Sequence, residues 1–84
     1  MAITVRFFAA LREQVGRDAV EVRTPTSGDI AGLLANIRDQ LGEQVVSKLT
    51  SPNVRIALNR EFVNSDCAVR DGDEVAFMPP ITGG

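Results

Sequence analysis

Only one stretch of this chain carries a long helical period. Ile30, Leu33, Leu34, Ile37 and Leu41 recur at i, i+3, i+4, i+7 and i+11, and Gly42 follows. That spacing lines the apolar residues along one side of a helix, which must then cover something else. Ser27 or Asp29 stands where an N-cap is expected. Gly32 inside the period costs about 1 kcal/mol relative to Ala, which burial of the stripe offsets. With 84 residues the chain supports one domain and a small core.

The remaining segments read as the sheet that this helix covers. Ile3-Thr4-Val5-Arg6-Phe7 alternates apolar and polar, so Ile3, Val5 and Phe7 are expected to point inward. Ala9 to Val15 is a short helical turn ended by Gly16. Val20-Glu21-Val22-Arg23 alternates again and is expected to return antiparallel to the first strand. After the turn Thr24-Pro25-Thr26-Ser27-Gly28 comes the long helix, and Glu43 to Leu49 is expected to add a further helical turn. Val54 to Leu58 is a third strand, Phe62-Val63 a short fourth, and Glu74 to Met78 the last. Asn59-Arg60-Glu61 and Asp71-Gly72-Asp73 are the turns between them. The order is α+β, and it matches the β-grasp (ubiquitin-like) pattern: a mixed sheet of four to five strands with one main helix. In that pattern the last strand lies parallel beside the first. The domain is expected over residues 1–78, with an extended tail over 79–84.

Composition narrows the chemistry. The chain is 44% hydrophobic and 24% charged, the balance of an ordinary folded domain. Its net charge of −2 and its scattered arginines argue against nucleic acid as the main partner. No segment approaches the ~20 apolar residues that span a bilayer. Met1 to Arg6 lacks the features of a signal peptide, and Cys67 stands alone. A reducing cytoplasmic setting is therefore expected. Histidine is absent, so the usual neutral-pH acid–base group and any Ser-His-Asp set are missing. One cysteine without histidine makes no zinc site, and no G-x-x-x-x-G-K-[ST] phosphate loop occurs. No bound cofactor or metal and no self-contained active site are expected. A free-standing hydrolase is disfavoured on the same grounds.

The end of the chain has the most distinctive chemistry. Pro79-Pro80 fixes the backbone direction and removes two ladder donors, so the last strand stops there and the chain runs on extended. Ile81 and Thr82 lead into Gly83-Gly84, which is slender enough to enter a channel too narrow for side chains. A projecting terminal carboxylate, ionised at pH 7, is a good acyl substrate. The plainer alternative is a frayed terminus with no chemical role.

Asp71-Gly72-Asp73-Glu74-Val75-Ala76-Phe77-Met78-Pro79-Pro80-Ile81-Thr82-Gly83-Gly84 resembles the C-terminal signature of the small-subunit family of molybdopterin synthase, a group of ubiquitin-like sulfur carriers. Val5-Arg6-Phe7-Phe8-Ala9-Ala10-Leu11-Arg12-Glu13-Gln14-Val15-Gly16 is similar to that family's first strand and short helix. The resemblance implies that Gly84 is adenylated with ATP by an E1-like adenylating enzyme and converted to a thiocarboxylate with sulfur from a donor protein. It also implies docking on the large subunit of molybdopterin synthase, in a heterotetramer, where the tail gives sulfur to the molybdopterin precursor. Carriers of the same fold in thiamine or cysteine synthesis also end in Gly-Gly. A ubiquitin-like binding module with an idle tail is the alternative of another class.

Several residues outside the tail are candidates for docking. Strand alternation leaves Phe8 off the core face, sets Met78 with Ala76 opposite Val75 and Phe77, and puts Phe62 just after a turn. Phe8, Phe62 and Met78 form either an apolar patch beside the tail or, for Phe8 and Met78, a second small core under the short helix. The family resemblance favours the patch. Arg12 is a candidate for a salt bridge to a partner, or a solvated surface arginine. Asp71, Asp73 and Glu74 either steer the tail electrostatically or form a polar turn. Cys67 reads as an ordinary small residue.

Overall fold

The computed structural model describes residues 1–79. The alternating N-terminal segment forms β1 (Ala2–Phe7), with Ile3, Val5 and Phe7 buried to within 1% of full exclusion. Next come α1 (Ala9–Val15), β2 (Ala19–Arg23), α2 (Ile30–Leu41), α3 (Glu43–Leu49), β3 (Arg55–Leu58), β4 (Glu61–Val63) and β5 (Glu74–Met78). The five strands lie in the order β2-β1-β5-β3-β4. β1 and β5 run parallel at the middle, Val5 beside Val75 and Phe7 beside Phe77, and the other neighbours are antiparallel. This is the β-grasp arrangement expected from the element order.

The helix begins where its capping chemistry sits. The Asp29 carboxylate accepts from the Gly32 N–H at 2.8 Å and from the Ser27 hydroxyl at 3.0 Å, so Asp29 is the cap and Ser27 supports it. Ile30, Leu33 and Ile37 are fully buried against the sheet. Asn36 and Gln40, on the helix flank, donate to the β2 carbonyls of Arg23 and Glu21 at 2.9 and 2.8 Å. These two amides tie α2 to a strand at the edge of the sheet. Gly32 has a steric reason as well as a propensity cost. A Cβ there would collide with Ser27 Oγ and lie 2.9 Å from Pro25 Cβ.

The expected extra turn after α2 is a separate helix. Gly42, at φ 104° and ψ 158°, breaks the axis, and α3 then presents Val46 and Leu49 to the core. Gly16 ends α1 in the left-handed region at φ 88°, its N–H donating to the Arg12 carbonyl at 2.9 Å. The core of buried side chains lies between the helices and one face of the sheet. Phe7 and Phe77 stack within it at 6.4 Å between ring centroids. Cys67 is partly buried at the rim of this core, its thiol near the Ala68 carbonyl. Pro80, Ile81, Thr82, Gly83 and Gly84, the tail expected to carry the chemistry, lie outside the described residues.

Candidate functional site

The helices cover one face of the sheet, so strand alternation assigns the opposite face to Arg6 on β1, Glu74, Ala76 and Met78 on β5, and Ala57 on β3. Ala57 pairs with Ala76 on one side and with Phe62 on the other. The two alanines form the floor of a hollow of about 270 Å³, also bordered by Phe8, Met78, Arg6, Arg60 and Glu74. Phe8 and Met78, proposed from sequence as neighbours, do share this hollow. Phe8 is 37% exposed, which places it at the surface rather than in a second sealed core.

Phe8 reaches this position through an unusual bend. It keeps extended backbone at φ −116° and donates its N–H to the Phe77 carbonyl at 3.2 Å, prolonging the β1–β5 pairing by one residue. Ala9 then takes φ 52°, a left-handed conformation that a residue with a Cβ rarely adopts. The chain thus turns into α1 immediately after Phe8. No residue type announced this bend in the sequence, because alanine is a helix former and carries no turn signal.

Phe62 lies on the same face, beside Ala57, and is 59% exposed. The Arg55 guanidinium sits over its ring, 4.3 Å from the centroid. Arg6 has a similar relation to Phe8 at 5.3 Å, and its Nη1 also pairs with Glu74 Oε2 at 3.1 Å. These arginine contacts hold the aromatic rings in place at the surface. Sequence reasoning missed Arg6 and Arg55. The signal was present as outward positions on strands, but using it requires knowing that β1 pairs with β5 and β3 with β4. Arg12 is exposed on α1 and does not border the hollow. It lines a separate shallow depression with Arg17 and Asp18.

Asp73, in the turn before β5, and Glu74, its first residue, have different roles. Asp73 accepts from the Arg70 N–H at 2.8 Å and from the Asn59 amide at 3.1 Å, while Asn59 Oδ1 accepts from the Glu74 N–H at 2.9 Å. Asp73 therefore organises a polar turn and latches the β3–β4 hairpin onto it. Glu74 is engaged by Arg6 on the open face. Beyond Met78 the chain leaves β5 at Pro79, between the Phe8 bend and the start of β3, where Arg55 pairs with Met78. Among the described residues no cluster of His, Cys, Asp and Glu is suited to a metal ion, and no helix is long and apolar enough to cross a membrane. What this face offers is a shallow apolar depression ringed by arginines, next to the point where the tail departs.

Comparison with known proteins gives the face a context. The family model described as ThiS family matches residues 5–84. The molybdopterin synthase sulfur carrier subunit of Escherichia coli (strain K12) is 40% identical over 84 residues, spanning 98% of this chain and 99% of that protein. The crystal structure of SAMP1 from Haloferax volcanii superposes with a TM-score of 0.82 over the whole of both chains at 22% identity, a likeness of fold. A chain in the protein–protein complex of subunits 1 and 2 of molybdopterin-converting factor from Helicobacter pylori 26695 matches with a TM-score of 0.64 and 27% identity, again over the whole of both chains.

Proposed function

The chain belongs to the ThiS family, and on that footing we propose that it is the sulfur carrier of molybdenum cofactor biosynthesis, with the Gly84 carboxylate as its reactive group. The observation that carries this reading is the 40% identity with a molybdopterin synthase sulfur carrier subunit over 98% of the chain. The family match, which runs through Gly84, extends it to the tail.

The chemistry follows from a carboxylate with no catalytic side chain beside it. An E1-like adenylating enzyme brings ATP. A Gly84 carboxylate oxygen attacks the α-phosphorus, pyrophosphate leaves, and an acyl-adenylate forms. The terminal sulfur of a persulfide on the donor protein then attacks the acyl carbon, and AMP departs with its electron pair. A second thiol cleaves the resulting acyl disulfide at the donor-side sulfur, leaving the thiocarboxylate on Gly84 and a disulfide on the donor. The carrier docks on the large subunit of molybdopterin synthase, gives its sulfur to the molybdopterin precursor, and returns to the carboxylate on hydrolysis. Each activating step is performed by a partner, which suits a cytoplasmic chain without histidine. The domain contributes docking: Phe8, Met78 and Phe62 fill apolar depressions of the partner, and Pro79 and Pro80 aim Ile81, Thr82, Gly83 and Gly84 into its active site.

Intact-mass analysis after incubation with ATP and the adenylating enzyme tests this reading. An adenylate adduct is expected, and a sulfur-for-oxygen exchange once the donor protein is added. Deletion of Gly84 is expected to abolish both while leaving the thermal midpoint unchanged. An unmodified mass with every enzyme present would refute the carrier reading. Retention of the large subunit on the immobilised protein assigns the pathway.

A further inference from the structure

The turn joining β3 to β4 consists of Asn59 and Arg60, with φ of 50° and 75°. Left-handed backbone at both positions is the type I′ geometry, in which Asn suits the first place and Gly the second. Asn59 has a local reason for its place: its side chain joins Asp73 to the Glu74 N–H. Arg60 has none. Among the described residues it makes no side-chain hydrogen bond and no ion pair, yet it occupies a position where glycine would sit without strain. Strained non-glycine positions gather at sites of function, and Arg60 borders the same hollow as Phe8, Ala76 and Met78.

Charge accounting on this face sharpens the point. Glu74 already answers Arg6 at 3.1 Å. A partner seated over Phe8 and Met78 would also cover the Arg60 guanidinium. Covering a charge without a counter-charge is costly, so the partner has to supply one. We propose that Arg60 is a recognition residue of the carrier, and that the large subunit of molybdopterin synthase places an aspartate or glutamate carboxylate over it when it docks on the open face. This inference rests on the carrier reading given above. It adds a charge to a contact otherwise built from apolar side chains, and with it a source of specificity and of faster association.

The test compares wild type, Arg60→Gly and Arg60→Lys for association with the purified large subunit at low and at high salt. Arg60→Gly relieves the backbone, so its thermal midpoint is expected to equal or exceed that of wild type. Its association at low salt is expected to be about tenfold slower, the gap closing as salt screens the pair. Arg60→Lys is expected to retain most of the wild-type rate. Wild-type association by Arg60→Gly at low salt would overturn the inference, as would a deficit that salt does not change. Failure of the wild-type protein itself to bind would refute the carrier reading on which the inference depends.

Discussion

Phe7 and Phe8 are adjacent in the chain and lie on opposite faces of the sheet, so truncating each in turn separates scaffold from site. Phe7 is 1% exposed and stacks on Phe77. Phe7→Ala is expected to cost about 3–5 kcal/mol, the usual range for a buried phenylalanine. For a domain of this length, about 4–8 °C is lost per kcal/mol, so its thermal midpoint is expected to fall by at least ~12 °C. Phe8 is 37% exposed. Scaling about 2 kcal/mol for full burial to its buried part, and adding about 0.5 kcal/mol for the Arg6 contact, gives a loss of about 1–2 kcal/mol for Phe8→Ala. Binding should rank them the other way. An aromatic anchor at an interface is worth about 1–2 kcal/mol or more, so Phe8→Ala should raise the Kd for the large subunit by about tenfold. Phe7→Ala, corrected for its folded fraction, should bind nearly as wild type. Thermal unfolding by circular dichroism and titration calorimetry well below the midpoint supply the two readings. Equal destabilisation by both variants would return Phe8 to the core, and an unchanged affinity of Phe8→Ala would remove it from the interface.

Two further substitutions probe what positions this face. Gly32→Ala, which helix propensity alone would favour by about 1 kcal/mol, is expected to lower the thermal midpoint, because the new methyl meets Pro25 and displaces Ser27 from Asp29. Asp73→Ala removes the acceptor of Arg70 and Asn59. The loss is expected to be about 1 kcal/mol, and hydrogen exchange is expected to quicken in the β3–β4 hairpin before the β1–β5 pair.

Much of this fold is legible in the sequence, and what is not has identifiable causes. Ile3, Val5 and Phe7 alternate strictly because β1 has one buried face, and the α2 stripe follows from the same one-sided burial. Glu43 to Leu49 is harder to read because seven residues offer only Val46 and Leu49 as buried positions, too few to fix a period. The Arg6–Glu74 pair joins residues 68 apart in the chain, and only the parallel pairing of the first and last strands brings them together. The Asn59–Arg60 turn was recognisable as a turn, but nothing about arginine signals left-handed backbone. Ala9 was still less visible. The Pro79-Pro80 and Gly83-Gly84 motif was the most distinctive signal in the sequence, because prolines and glycines act through their own covalent geometry, but from Pro80 on it lies outside the described residues.

Strand register links the two faces of this domain. Side chains alternate strictly along a strand, so burial of Phe7 and Phe77 places Ala76 and Met78 outside, with Phe8 beside them once the Ala9 bend is made. A slip of one residue in β1 or β5 would bury the residues of the open face and expose the core. The free energy gained by burying Phe7 and Phe77 therefore also fixes where Phe8 and Met78 stand relative to Pro79. It holds the left-handed Ala9 and Arg60 in place as well, since neither conformation is favourable on its own. On the carrier reading proposed above, the open face has to be fixed in position relative to Pro79, where the chain leaves β5. In this chain the hydrophobic core on the far side of the sheet supplies that constraint.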